Sequence, residues 1–288
     1  MNRLQRRHLE ETIFKGLMLS AFLFVGLGVV LILLTVIVKG LPALTWDMIT
    51  QTPKGGFYLG KEGGILNAIV GSLYLAADGT ALALILSLPI ALYLAIYARG
   101  TGGGRWASIV RLALDVLWGI PSIVFGAFGF VIMLAIGMRA SLLAGILVLA
   151  ILELPIMVRA MDEVIRIMPI ELKEASYALG ATRLETALKV VVRQTLPGIL
   201  TAILLAFGRG IGDAASVLFT AGYTDQLPNS LLRPVASLPL AIFFQLGTAF
   251  PEVQQRAYAS ALILTIIVLI ISLGSRWLAQ RLSRNVVK

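Results

Sequence analysis

A run of 23 residues without a single charge sets the terms for this chain. Residues 16–38 lie between Lys15 and Lys39 and hold no Asp, Glu, Lys or Arg. About 20 helical residues cross ~30 Å of hydrocarbon, so the run is long enough to span a bilayer. A secretory leader has a shorter apolar stretch, about 7–15 residues, and then a small-residue cleavage site. The run therefore reads as a retained anchor. Arg6-Arg7 is only a weak echo of a twin-arginine leader, and holding the N-terminus in the cytoplasm explains the pair better. The remainder is equally apolar: 58% hydrophobic residues and 14% charged, against about 25% charged in soluble proteins. The bilayer has to be its solvent.

Further spans follow in order. Residues 40–64 form an external loop rich in Gly and Pro. Within it, Gly55-Gly56-Phe57-Tyr58-Leu59-Gly60-Lys61 spells the first seven positions of a P-loop. Glu62 stands where a Ser or Thr must hold magnesium, and no strand precedes the loop, so the match is rejected. Residues 65–98 are apolar but too long for one straight crossing, at roughly 50 Å for 1.5 Å per residue. The expectation is a span near 76–97, with Asp78 as its N-cap and the preceding segment helical but peripheral.

Arg99 to Arg105 form a short cytoplasmic turn. Residues 112–138 cross outward, kinked near Pro121, and Arg111 and Asp115 can pair at i, i+4. Residues 141–161 return, and Arg159 can pair with Asp162 or Glu163 at the cytoplasmic rim. Residues 196–221 cross outward again. The piece 237–250 is too short to span and reads as re-entrant or interfacial. Residues 257–275, between Arg256 and Arg276, make the last span.

Six spans with both termini inside place 17 basic residues on cytoplasmic segments and 6 on external ones, as the positive-inside rule requires. That placement accounts for the net charge of +9 without nucleic acid as a partner. The chain has no cysteine and one histidine, His8, so disulfide, thiol, multi-histidine metal and Ser-His chemistry are excluded. No resident cofactor is expected. Glu153, beside Pro155, reads as packing or a hydrogen bond at the kink.

The one sizeable polar interval, residues 166–195, has a different character. Pro169 opens a short helix on which Leu172, Ala175, Ser176 and Leu179 share a face, with Glu171, Lys173 and Glu174 pointing elsewhere. Gly180 can take the left-handed conformation that ends a helix. Thr182-Arg183-Leu184-Glu185 fits a capping box, which opens a second helix over about 183–194. Two helices at an angle between two spans make a docking knob.

Glu174-Ala175-Ser176, then Gly180 and Val190, resembles the EAA loop of ABC-importer permeases, with Ser176, Val190 and Val192-Arg193 as departures from its pattern. Gly119-Ile120-Pro121-Ser122-Ile123-Val124, Ala178-Leu179-Gly180-Ala181, Leu196-Pro197-Gly198-Ile199 and Leu218-Phe219-Thr220-Ala221 look together like the A-type permeases of the bacterial phosphate (Pst) importers. These matches spread over roughly residues 110–222. The resemblance implies an all-α membrane protein of six transmembrane helices, with the type I (MetI-like) importer architecture and a cytoplasmic coupling helix. It divides the chain into a cytoplasmic tail 1–15, a first helix 16–38, a permease core 65–275 and a cytoplasmic tail 276–288.

The resemblance also implies a multi-pass subunit of the bacterial inner membrane, without an ATP site or enzymatic activity of its own. Glu174, Ala175, Ser176, Leu179 and Gly180 would couple it to two cytoplasmic ATPase subunits, which hold ATP and magnesium. A second, C-type permease would complete the path, and an extracytoplasmic phosphate-binding protein would deliver the anion. The alternatives are a permease for sulfate or molybdate, an ATP-independent secondary transporter or channel, and a membrane-embedded enzyme.

One basic residue falls outside the charge bias. Arg209 lies roughly 20 Å into the fifth span at 1.5 Å per residue. A charge at that depth costs at least ~2.5–3.5 kcal/mol and marks a function by default. Asp213, four residues on, shares its helical face among Gly208, Gly210 and Gly212. Either the two form a self-satisfied pair that helps helices pack, or they line the pathway, where a guanidinium can hold an oxyanion through two parallel bonds. In the resembling family an arginine precedes Gly-Glu-Thr here; this chain has Gly212-Asp213-Ala214. Ser122 and Arg159 are further candidates for the pathway wall.

Overall fold

The computed structural model describes residues 3–54, 62–97 and 103–283. Helix α1 runs from Arg3 to Gly40, then a single turn at Leu41–Ala43 leads to α2, Trp46–Thr50, capped by the Thr45 hydroxyl. Two antiparallel pairs, Pro53 with Gly63 and Lys54 with Glu62, join the short strands β1 (Pro53–Lys54) and β2 (Glu62–Gly63). The helices α3 (Leu66–Leu92), α4 (Gly103–Gly119), α5 (Ser122–Ala135) and α6 (Leu142–Arg166) follow. Then come α7 (Ile170–Ala178), α8 (Arg183–Glu185), α9 (Val192–Gly212), α10 (Leu238–Leu246) and α11 (Pro251–Ser283). The P-loop-like stretch 55–61, most of the turn at 99–105 and the tail from 284 lie outside the described residues.

Among the described residues, five helical segments are long and apolar enough to cross a membrane: Glu10–Ala43, Leu66–Tyr97, Leu142–Arg166, Arg183–Gly212 and Pro251–Arg281. A sixth is counted if α4 and α5, bent by 99° at Gly119–Pro121, make one span. The bend is far sharper than a kink. Pro121 lacks the N–H that would continue α4, and its extended backbone starts α5 in a new direction.

Helix α6 is the axis of the bundle. Its Ser141 cap accepts from Ala144 N, and its buried residues run from Leu142 to Ile165 on nearly every face. Neighbours cover it on all sides but one, where Leu147 and Ile151 are exposed. It packs on α3, α9, α4 and α5. By contrast, the apolar window of α1 is wholly exposed in the isolated chain, and α1 meets the bundle along α11.

Several expectations need correcting. Helix α3 is unbroken from Leu66, so Asp78 is an exposed mid-helix residue and not an N-cap. Its first half is not peripheral: Asn67, Ala68, Ser72 and Leu75 are buried. The second helix of the hairpin does not stop near 194. A π-helical stretch at Thr186–Val191 carries it into α9, making one helical run of 183–212. The fifth crossing is likewise not helical to 221. Its helix ends at Gly212, and Asp213 is extended.

Beyond Asp213 the chain is irregular up to α10. Such backbone survives at membrane depth only where protein satisfies it, and here it does. Thr220 O accepts from Ser141 N, Arg233 O from Leu142 N, and Ala221 O from Val235 N. Side chains complete the set: Asn67 Nδ2 donates to Thr224 O, and Ser72 Oγ accepts from Leu238 N. Helix α10 is short, as expected of a segment that cannot span.

Candidate functional site

The hairpin between α6 and α9 is built by local rules. Gly180, at φ +83°, closes α7: Gly180 N donates to Tyr177 O and Ala181 N to Ser176 O. These are the two bonds of a Schellman motif, and the positive φ is the reason for glycine. The Thr182 hydroxyl accepts from Glu185 N at 3.2 Å, and the Glu185 carboxylate accepts from Thr182 N at 3.0 Å. Lys189 adds an ion pair to Glu185 at 3.2 Å. The two arms are pinned where Ser176 and Thr186 share a buried hydroxyl–hydroxyl bond of 2.9 Å.

The packing face of α7 differs from the apolar face read in the sequence. Lys173 and Ser176 are the buried residues, while Glu174, Ala175 and Leu179 are exposed, Leu179 to 88%. A cleft of ≈ 310 Å³ beside the tip is lined by Ser176, Leu179, Gly180, Glu185 and Lys189 among others. The knob thus presents an apolar side chain and a carboxylate outward on a rigid frame.

At the base of α6, four charges interlock across helices. Arg111 donates to both oxygens of the Asp162 carboxylate, from Nε at 2.8 Å and Nη2 at 3.1 Å, and also to Leu94 O at 3.3 Å. Arg159 bonds Asp115 at 2.7 Å and approaches Asp162 at 3.8 Å. The expected Arg111–Asp115 pair within α4 is therefore replaced by partners on α6. Asp162 is fully buried, and the bidentate fork is the arrangement that offsets its desolvation. Arg159 is engaged in this network. Ser122 is the half-buried first residue of α5, just past the bend.

Halfway along the bundle the polar groups are not paired. Arg209 is exposed on α9 and lines a groove of ≈ 530 Å³ with Trp118, Ile156, Thr201, Leu204, Gly208 and Arg276 in its wall. Among the described residues no carboxylate lies within ion-pair distance of it. Of the two readings of Arg209 and Asp213, the self-satisfied pair is absent because the helix ends between them. Asp213 turns into a second, much smaller cavity with Ser72, Leu149 and Ser237, and its Oδ1 accepts from Ser216 N at 3.0 Å.

Glu153, expected to pack or hydrogen-bond at the Pro155 kink, has a different setting. It sits on α6 with 0% exposure and neither carboxylate oxygen has a hydrogen-bond partner. A Cβ on Gly210 would collide with Glu153 Oε1, so glycine is what lets α9 lie against it. The available signal was an acidic residue inside the apolar run 141–161.

Residues 87–288 match the family model described as binding-protein-dependent transport system inner membrane component. The phosphate transport system permease protein PstA of Haemophilus influenzae is 35% identical, over 86% of this chain and 86% of its own length. PstA 1 of Mycobacterium tuberculosis (H37Rv) is 33% identical, over 97% of this chain and 91% of its own. Among solved structures, the inward-facing MetNI methionine ABC transporter superposes with a TM-score of 0.62 at 19% identity, covering 75% of this chain and 95% of that one. A bacterial alginate ABC transporter gives 0.59 at 13% identity, covering 99% and 100%. At such identities these two show the fold, an ABC-importer permease architecture. With the family model spanning most of the chain and the relatives matching nearly its full length, this protein belongs to the family of binding-protein-dependent transport system inner membrane components.

Proposed function

We propose that this chain is a transmembrane permease subunit of an ATP-driven importer of inorganic phosphate. The observation that carries the reading is identity of 33–35% to permeases named for phosphate transport, extending over nearly the whole chain. The geometry agrees with it. A charge retained at membrane depth is costly unless used, and Arg209 is held in an open groove with its guanidinium free for an anion. Asp213 follows at the end of the same helix. Asp213 faces a separate small cavity here; brought to the path by movement of α9, its carboxylate would accept a hydrogen bond from hydrogen phosphate and repel fully deprotonated sulfate.

Transport needs a second permease, a related C-type subunit, to close the groove into a path. Two cytoplasmic ATPase subunits supply energy from ATP and magnesium, and an extracytoplasmic binding protein delivers phosphate. With both termini cytoplasmic, the α7–α8 hairpin faces the ATPases. Glu174, Ala175 and Leu179 enter a groove on them, while Gly180 and Ser176 hold the tip in shape. Because α6 and α9 lead directly into the hairpin, movement of the knob moves Arg209 and Asp213.

The test is ATP-driven uptake by the full complex in proteoliposomes, with labelled phosphate and labelled sulfate. Arg209→Ala is expected to lower phosphate uptake at least tenfold, about 1.4 kcal/mol, with the complex still assembled. Asp213→Asn is expected to relax discrimination against sulfate. Unaltered phosphate uptake in Arg209→Ala would remove Arg209 from the path. Preference for sulfate by the wild type would overturn the substrate.

A further inference from the structure

Glu153 is a titratable group for which the transport reading has no use. It is one of two fully buried carboxyls on the central helix, and unlike Asp162 it has no cation and no well-formed hydrogen bond on either oxygen. The Thr80 hydroxyl on α3 is buried beside it and is, among the described residues, the one polar side chain in a position to approach the carboxyl. An isolated carboxylate in such surroundings is prohibitively costly; it has to be paired or neutralised. Pairing fails on inspection of each element packed against α6.

On α3, Asp78 is exposed, as is Tyr74. The turn after α3 carries Tyr93 and Tyr97, stacked on each other. On α4, Arg111 and Asp115 are bonded to Asp162 and Arg159, which lie further along α6 toward the hairpin. Helix α5 has no ionisable residue. On α9, Arg209 points into the groove, and the charged group within electrostatic reach of Glu153 is Asp213, another acid. Gly210 packs directly on Oε1, and no group of metal-ligating side chains is found among the described residues.

We propose that Glu153, with Thr80, is a proton-binding site at the junction of α3, α6 and α9. The bound proton turns Glu153 into a carboxylic acid, whose O–H is a donor and whose carbonyl oxygen still accepts. Thr80 can then either donate to the carbonyl oxygen or accept from the O–H, and no net charge is left buried. The neutral acid is what allows Gly210, and with it the turn that presents Arg209 and Asp213, to pack against α6. Release of the proton leaves a charge that this packing cannot hold, so α9 must withdraw or water must enter. Proton binding at Glu153 and the position of α9 are thereby linked, and each shifts the other.

The experiment is infrared difference spectroscopy on the intact importer in lipid nanodiscs, with Glu153→Gln and the apolar Glu153→Leu as references. Wild-type protein near neutral pH is expected to show a protonated-carboxyl band that both variants lose and that disappears as pH is raised. Absence of that band from the wild type, or its persistence in both variants, would overturn the proposal. A second arm measures ATP-driven uptake against pH in proteoliposomes. Loss of uptake at high pH is expected in the wild type and a shifted or flattened profile in Glu153→Gln. Profiles that superimpose would refute the linkage to α9. Should the band behave as expected while no phosphate is transported, the site stands and the phosphate reading falls.

Discussion

Helix α6 buries two carboxyls completely, Asp162 and Glu153, and treats them in opposite ways. Asp162, near the hairpin, is gripped by the Arg111 fork and approached by Arg159. Glu153, more than two turns away, has no donor on either oxygen and rests on the backbone of Gly210. A paired carboxylate fixes a geometry, because every departure from it uncovers a charge. An unpaired one leaves its neighbourhood able to change with its protonation or its contacts. The rigid half of α6 thus adjoins the hairpin, and the changeable half adjoins Arg209 and Asp213. Under the proposed coupling through the hairpin, this division would suit a helix that passes motion from the ATPases to the groove.

The comparison can be broken by substitution, with thermal unfolding in detergent as the readout. The largest effect is expected from Asp162→Ala, which strands Arg111 and frees Arg159. Breaking a buried pair in this way costs about 3–5 kcal/mol, and an effect under about 1 kcal/mol would show the network to be ornamental. Gly210→Ala is expected to be intermediate, about 1–3 kcal/mol, the usual cost of overpacking, since its methyl meets Glu153 Oε1. The double variant Gly210→Ala, Glu153→Ala should recover part of that loss if the collision is the cause. Glu153→Gln is expected to be smallest, within about 1.5 kcal/mol, the net worth of one hydrogen bond. A loss as large as that of Asp162→Ala would mean that Glu153 is charged and paired, and the contrast along α6 would vanish.

What the sequence disclosed follows the range of the forces involved. The hairpin was legible down to its bonds, because the Gly180 turn and the Thr182–Glu185 box are set by residues within five positions of each other. The long apolar crossings were legible from hydropathy. The partners of Arg111 and Asp115 were not, since their best acceptors and donors lie on α6, about 45–50 residues away, beyond any helical spacing rule. Nor was the end of α9 legible. Residues 214–221 are as apolar as a helix interior, and only their bonds to the start of α6 and to Val235 show why they are not helical. The Arg209–Asp213 pair failed for the same reason: i, i+4 proximity holds only while the helix continues. Which residues of α7 are buried was not legible either: Ser176 is held by Thr186 across the hairpin, while Ala175 and Leu179 on the same apolar face are exposed.

The central claim is that a separate motor drives this permease through the hairpin around Glu174. It is tested most directly by measuring phosphate uptake and ATP hydrolysis together in the reconstituted importer carrying Glu174→Lys or Gly180→Pro. The account predicts normal membrane insertion with uptake lost and hydrolysis no longer coupled to it. Unchanged, ATP-dependent uptake in both variants would contradict it.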